Sequence, residues 1–399
     1  MSSMSRISPR LTGVSLALLC LTANAVAQQR ATGGAQAQDE PQLRQVATFE
    51  HQVTGVTVSK DGRIFVNFPR WTEDSPISVA EVSRNGKLTP FPNAEWNAWR
   101  NAKKDQMTPQ DHWVCVQSVV ADGQGNLWVL DPAAPAQGYV VAGGPKLVKI
   151  DLAANKPTQT VAFDESAAPQ GSYLNDVRFS PDGKHAYVTD SGAKGALVVV
   201  DLESGRARRI LDGHPSTQPE KGVVVKADGE ELRRPDGRGV EFAADGIALS
   251  KDGSTLYWQA IKGKTLYSIP TETLRNAQAS AQEIEGKVQK VGENGVSDGL
   301  LINRDGRMFI SAVEEDSVKV RDGDRVTTLF KDKRLRWPDT FAEGPDGAIY
   351  VTTSRIQDSA FFKPDAPRSL ATQLWRIDLG KAGEATGTVP QAGTQTPKR

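Results

Sequence analysis

One position in a repeated pattern carries oxygen-bearing side chains in every copy. Six repeats can be aligned on the glycine that ends their central turn: Gly62, Gly125, Gly183, Gly253, Gly306 and Gly347. Eight residues upstream of these stand Thr54, Gln117, Asn175, Asp245, Asp298 and Asp339. Three carboxylates brought into one small volume repel each other, and at least one carboxyl is held protonated unless a cation neutralises the group. An all-oxygen set without His or Cys suits Ca²⁺, Mg²⁺ or Mn²⁺ rather than zinc or copper. A cationic amine satisfies the same charges. The bland alternative is structural, because Asp before Gly at the mouth of a strand often caps a turn by accepting from backbone N–H groups. Asp245, Asp298 and Asp339 are therefore the candidate catalytic residues, by position, and Asp176 beside Asn175 joins them as a further carboxylate.

Other chemistries find little support. The four histidines, His51, His112, His185 and His214, are scattered and form no HExxH motif, and no CxxC occurs. A His/Cys zinc site is thus not expected. No GxSxG elbow is present, which argues against a serine hydrolase. The glycines of Asp122-GQGN belong to a β-turn and not to a phosphate loop opening a helix. Of two cysteines, Cys20 lies near the N-terminus and Cys115 stands between Val114 and Val116, where a buried structural thiol is expected rather than a nucleophile.

The elements that must position the six side chains are strands. Each repeat reads as an apolar strand, a turn ending in Gly, and a second strand rich in aromatic and β-branched residues: Gly55-VTVSKDGRIFV, Ser118-VVADGQGNLWV, Asp176-VRFSPDGKHAYV, Gly246-IALSKDGSTLYW, Gly299-LLINRDGRMFI and Thr340-FAEGPDGAIYV. Asp-Gly between alternating strands is a strong hairpin signal. The turn glycines are 63, 58, 70, 53 and 41 residues apart, which allows one four-stranded sheet and its loops per repeat. A third strand follows in every repeat and a fourth in five of them. The last repeat lacks its fourth strand, and Arg44 to Glu50 ahead of the first repeat supplies it. The fold expected is all-β: a six-bladed β-propeller closed by an N-terminal strand, which removes two sheet edges that would otherwise be exposed. Its first strands are innermost, so the six aligned residues ring the axis.

Three insertions interrupt the pattern, at residues 94–113, 212–244 and 354–372. The second holds a hairpin signal at Asp228-Gly229, and the others carry Trp96, Trp99, Trp113 and Phe361-Phe362. These aromatics either line a pocket or pack the loops onto the body.

The N-terminus reads as an export signal: Arg6 and Arg10, an apolar run from Leu11 to Leu21, then Ala25-Val26-Ala27. The domain map is residues 1–27 signal peptide, 28–42 disordered linker, 43–379 propeller and 380–399 disordered tail. The expected location is extracellular or periplasmic, with no stable membrane span after cleavage. Lys+Arg and Asp+Glu both number 48, so no basic footprint for nucleic acid is evident. A monomer that binds a small-molecule ligand is expected.

Several segments in their order resemble the major royal jelly protein/Yellow family: Gly55-VTVSKDGRIFVNFPRW, Ser78-VAEV, Tyr173-LNDVRF, Tyr187-VTDSGAKGALVVVDL, Asp245-GIALSKDG, Ser297-DGLL and Arg336-WPDT. The resemblance implies a secreted six-bladed propeller, and, from insect relatives linked to melanin chemistry, an L-dopachrome tautomerase-related activity or aromatic-amine binding in the channel. An amine would be held by the carboxylates with Thr54, Gln117, Asn175 and Asp176 around it and Trp71, Trp337 or Tyr173 as stacking partners. More distantly the chain resembles gluconolactonase/senescence-marker propellers, which hold a divalent metal through a Glu, an Asn and an Asp. Asn175 and Asp245 match two of those ligands and imply a Ca²⁺ or other divalent cofactor and lactonase chemistry, whereas Thr54 replaces the Glu.

Overall fold

A computed structural model describes residues 40–71, 74–367 and 369–380. The expected signal peptide, most of the linker before Gln42, and the tail after Gly380 lie outside the described residues. The six turn glycines all adopt positive φ, between 68° and 87°, the region an L side chain avoids. That lets each apolar strand fold back on its partner, and the chain forms six four-stranded antiparallel sheets, each meandering outward from the axis. The innermost strands are Val56–Val58, Ser118–Ala121, Leu174–Phe179, Ala244–Leu249, Leu300–Ile302 and Pro338–Glu343. The sixth sheet takes its outer strand from the N-terminal side, where Gln42–Phe49 pairs antiparallel with Thr372–Asp378. The all-β, six-bladed propeller with N-terminal strand closure is the observed fold.

Apolar side chains are buried between neighbouring blades rather than at the axis. Leu130, Leu147, Leu174, Val188 and Val198 fill the seam of blades two and three. Tyr187, Leu197, Trp258 and Ile269 fill the next seam. With no core at the axis, the channel is free for polar groups. Two single-turn helices, Thr271–Arg275 and Ala281–Glu285, lie between the third and fourth strands of blade four, outside the strand repeat. The second carries a capping box between Ser280 and Glu283, the S-x-x-E signature of a helix start.

The insertions meet over one end of the channel. Lys226–Ala227 pairs with Glu230–Glu231, the hairpin expected at Asp228-Gly229. Trp99, Val223, Leu232, Phe242, Ile356 and Phe362 form one buried cluster with Trp71, Tyr173 and Trp337. The insertions' aromatics therefore do both things considered for them: most pack as a cap, and Phe242 and Phe361 also face the cavity beneath it.

Candidate functional site

The aligned residues converge, for two local reasons. Strand register slips between Leu174 and Val177, between Ala244 and Gly246, and between Pro338 and Phe341. Asn175, Asp245 and Asp339 fall inside these irregularities, and a bulge re-aims a side chain that regular pleating would point elsewhere. The glycines after the aspartates permit close approach. A Cβ on Gly246 would stand 2.1 Å from the carbonyl oxygen of Asp298, and one on Gly299 2.1 Å from that of Asp339. The Asp-Gly pairs at these two strand mouths thus let blades four and five press against the next ring residue's backbone.

A cavity at this end is lined by Gln117, Asn175, Asp245, Asp298 and Asp339, with Trp71, Phe242 and Phe361 among the side chains around them. Thr54 completes the ring but faces the wall, where its hydroxyl accepts from Asn67 Nδ2 at 2.9 Å. Asp176 is buried outside this lining, 3.6 Å from Arg178.

A directed chain of hydrogen bonds crosses the site. The Trp71 indole N–H donates to the Tyr173 hydroxyl at 2.5 Å. Tyr173 donates to Gln117 Oε1 at 2.9 Å, and Gln117 Nε2 donates to Asn175 Oδ1 at 3.0 Å. Asn175 Nδ2 then donates to Asp245 Oδ2 at 2.5 Å and to Ser191 Oγ at 2.8 Å. An indole can only donate, so the chain starts at Trp71, and each amide in it runs in the same sense toward Asp245. From the other side Trp337 Nε1 donates to Asp298 Oδ2 at 2.7 Å. Asp245 and Asp298 share a hydrogen bond.

Electrostatics follow from burial without a counter-ion. Among the described residues, Asp245, Asp298 and Asp339 form no ion pair. Burial, then the neighbouring carboxylates, raise Asp245 and Asp339 well above the ordinary carboxylate range. Asp298 is raised by burial to about 7, with the Trp337 N–H acting in the opposite sense. Asp245 accordingly holds the proton and donates to Asp298, on which two donor chains converge. Burial also raises the Tyr173 hydroxyl and pushes the Cys115 thiol up to about 12, so Cys115 is a buried, protonated thiol.

The remaining sequence candidates are placed differently. Trp337 is fully buried and serves as a hydrogen-bond donor, with no open face for stacking. Tyr173 is the second member of the donor chain. Trp71 does face the cavity and lies 5.8 Å from the Phe361 ring. Sequence reasoning missed Ser191, Gln137, Phe242, Ile261 and Ile356 in the lining. Ser191 follows Asp190 in the TDSG segment and was the one with a local signal.

A divalent metal does not fit this arrangement as it stands. Among the described residues no three His, Cys, Asp or Glu side chains are disposed as metal ligands. Asn175 turns its NH₂ to Asp245 and commits its oxygen to Gln117, so the pair expected to hold a metal is joined by a hydrogen bond.

Comparison with known proteins adds the family. The solved structure of a gluconolactonase from Xanthomonas campestris is similar over 86% of this chain and 92% of its own, at TM-score 0.51 and 13% identity. A calcium-binding protein, regucalcin, from Agrobacterium tumefaciens is similar over 84% and 92%, at TM-score 0.50 and 15% identity. At such identities the likeness concerns the fold. Major royal jelly protein 5 of Apis mellifera is 21% identical over 269 residues, and the match takes in 64% of this chain but only 42% of that protein. The family model for major royal jelly proteins matches residues 114–357, more than half of the chain, from just ahead of the inner strand of blade two to the cap. By that match the chain belongs to the major royal jelly protein family.

Proposed function

We propose that the protein is exported and binds a small cationic molecule, an aromatic amine, at the carboxylate ring beneath the cap. One observation carries this reading: three buried aspartates, Asp245, Asp298 and Asp339, crowd one cavity without a basic partner among the described residues. An ammonium supplies the missing charge and Asp298, already the acceptor of two donor chains, receives it. Trp71, Phe242 and Phe361 supply apolar and π-faces for the body of the ligand. The cavity is closed down to about 10 Å³, room for little more than one water, so entry requires the cap to move. Titration of the purified protein with tyramine tests this. Binding that strengthens as pH rises through 7 and is lost in Asp298→Asn is expected; pH-independent binding, or none, overturns it.

A second reading is favoured by the pairing of unequal carboxyls. Asp298 at about 7 beside a more strongly protonated Asp245 is a proton acceptor next to a donor, the pair a dopachrome-type isomerisation requires. Turnover of L-dopachrome that fails in Asp298→Asn distinguishes this enzyme from a binder. The lactonase alternative draws on the fold likeness only; bound divalent metal in purified protein, with metal-dependent lactone hydrolysis, would favour it.

A further inference from the structure

The opposite mouth of the channel, at the hairpin turns, has the reverse chemistry. A cleft of about 490 Å³ opens there, lined from blades two to five by Val120, Trp128, Phe179, Leu249, Leu301 and Ile302 among others. That volume lies within the range of small-molecule sites. Three cations reach its lining, Lys149, Arg178 and Lys251, against one carboxylate, Asp122. Asp122 is already engaged: it accepts from the backbone N–H of Gln124 and Asn126, from Asn126 Nδ2, and from the Trp128 indole at 3.0 Å. Among the described residues neither Lys149 nor Lys251 forms an ion pair. The Lys149 ammonium lies 5.4 Å from the centre of the Trp128 ring, which is itself stacked on Phe179 at 4.9 Å.

Arg178 is the fixed point of this mouth. It donates to the carbonyls of Val177 at 2.8 Å and Leu300 at 2.9 Å, which hold the guanidinium across the axis. Its contact with Asp176 is longer, at 3.6 Å. A guanidinium has five N–H donors, so these contacts leave donors for an anion. Arg178 also lines a smaller cavity of about 170 Å³ between the cleft and blades one, two and six. The cleft's lining at the hairpin end thus carries more cations than carboxylates, the reverse of the lining at the capped end.

We propose that the hairpin-end cleft is a second binding site, for a small carboxylate on an apolar body. The anion meets Arg178, Lys149 and Lys251, and the body packs on Phe179, Leu249, Leu301 and Ile302. The site is independent of the carboxylate ring and of any ligand bound there.

The test uses 4-bromobenzoate, whose bromine locates it by anomalous scattering in crystals of the whole chain, with calorimetry alongside. Wild-type protein is expected to bind it in this cleft, to bind neutral 4-bromobenzyl alcohol about tenfold more weakly or worse, and to lose about tenfold in affinity in the Lys149→Glu/Lys251→Glu variant. An unchanged melting temperature shows that this variant is folded; if it is not, the comparison of acid and alcohol on wild type decides alone. Bromine signal elsewhere, no binding at millimolar acid, or equal affinity for the alcohol overturns the proposal.

Discussion

The indole N–H of Trp337 donates to Asp298 Oδ2 at 2.7 Å, and this bond favours ionisation of Asp298 among the three crowded carboxyls. Trp337→Phe keeps the buried bulk and removes the donor. A hydrogen bond to a charged group contributes about 1.5–3 kcal/mol, and a unit of pKa is about 1.4 kcal/mol. The midpoint for tyramine binding is expected to rise by about 1–2 pH units in Trp337→Phe. Calorimetric titrations across pH check it; an unmoved midpoint assigns the titration to another group.

Stability of the unliganded protein is expected to fall as pH rises. Asp298 ionises at about 7 when folded but near 3.8 when unfolded, so between those values the folded state binds more protons. The stability present below 3.8 is lost as pH climbs toward 7, by up to about 1.4 kcal/mol per unit for one such group. Asp245 and Asp339 act in the same sense and extend the loss to higher pH. His185, held below its ordinary value by burial, acts in the opposite sense. Denaturant unfolding at pH 5 and pH 8 should show the loss, and Asp298→Asn should reduce it while leaving the His185 contribution in place.

Gly299 is expected to tolerate no side chain. Alanine there would put its Cβ 2.1 Å from the Asp339 carbonyl, a backbone atom that cannot swing aside. Overpacking of this kind costs about 1–3 kcal/mol or more. Gly299→Ala should show that loss in denaturant unfolding, with a displaced Asp339 and weakened amine binding. Gly306→Ala, whose site is open but has φ +84°, should lose stability without that selective loss of binding.

Arg336 ties the cap down. Its Nη1 and Nη2 donate to Asp228 in the hairpin at 2.9 and 2.7 Å, and its Nε donates to Asp358 at 2.6 Å. The Asp228 side chain is 64% exposed, so its share of this fastening contributes about 0–1 kcal/mol and can open readily. Arg336→Gln should speed both association and dissociation of tyramine in stopped-flow measurements. It should also raise hydrogen exchange across residues 222–239, with little change in overall stability.

The blades were legible because their signals are local. A turn ending in Gly with alternating flanks specifies a hairpin within a dozen residues, and six of them in sequence, five as Asp-Gly, imply a ring. The ring residues could be found because they occupy a fixed register from those turns. Their roles were less accessible. Thr54, Asp176 and Trp337 share the neighbourhood, yet whether each faces the cavity depends on bulges and on contacts between residues far apart in sequence. Trp337 meets Asp298 across 39 positions, and Trp71 meets Tyr173 across 102. No periodicity encodes such pairs. The cap residues Gln137 and Ile356 sit in single 3-10 turns, Pro135–Gln137 and Ile356–Asp358, that the repeat pattern does not mark, and Gln137 takes φ 53° without being a glycine.

The strand that closes the ring also sets how the molecule responds to force. Gln42 pairs with Asp378 and Phe49 with Thr372, so the two outward ends of the propeller emerge side by side. Tension applied through those ends peels the ladder open one pair at a time, beginning at Gln42 and Asp378, instead of shearing all its bonds together. Arg44 and Asp378 form an ion pair near that starting point, and the bulge between Gln45 and Ala47 interrupts the ladder a few residues further on. Under load the sixth blade is therefore where the propeller yields first, and the other five lose their circular restraint only after it has parted.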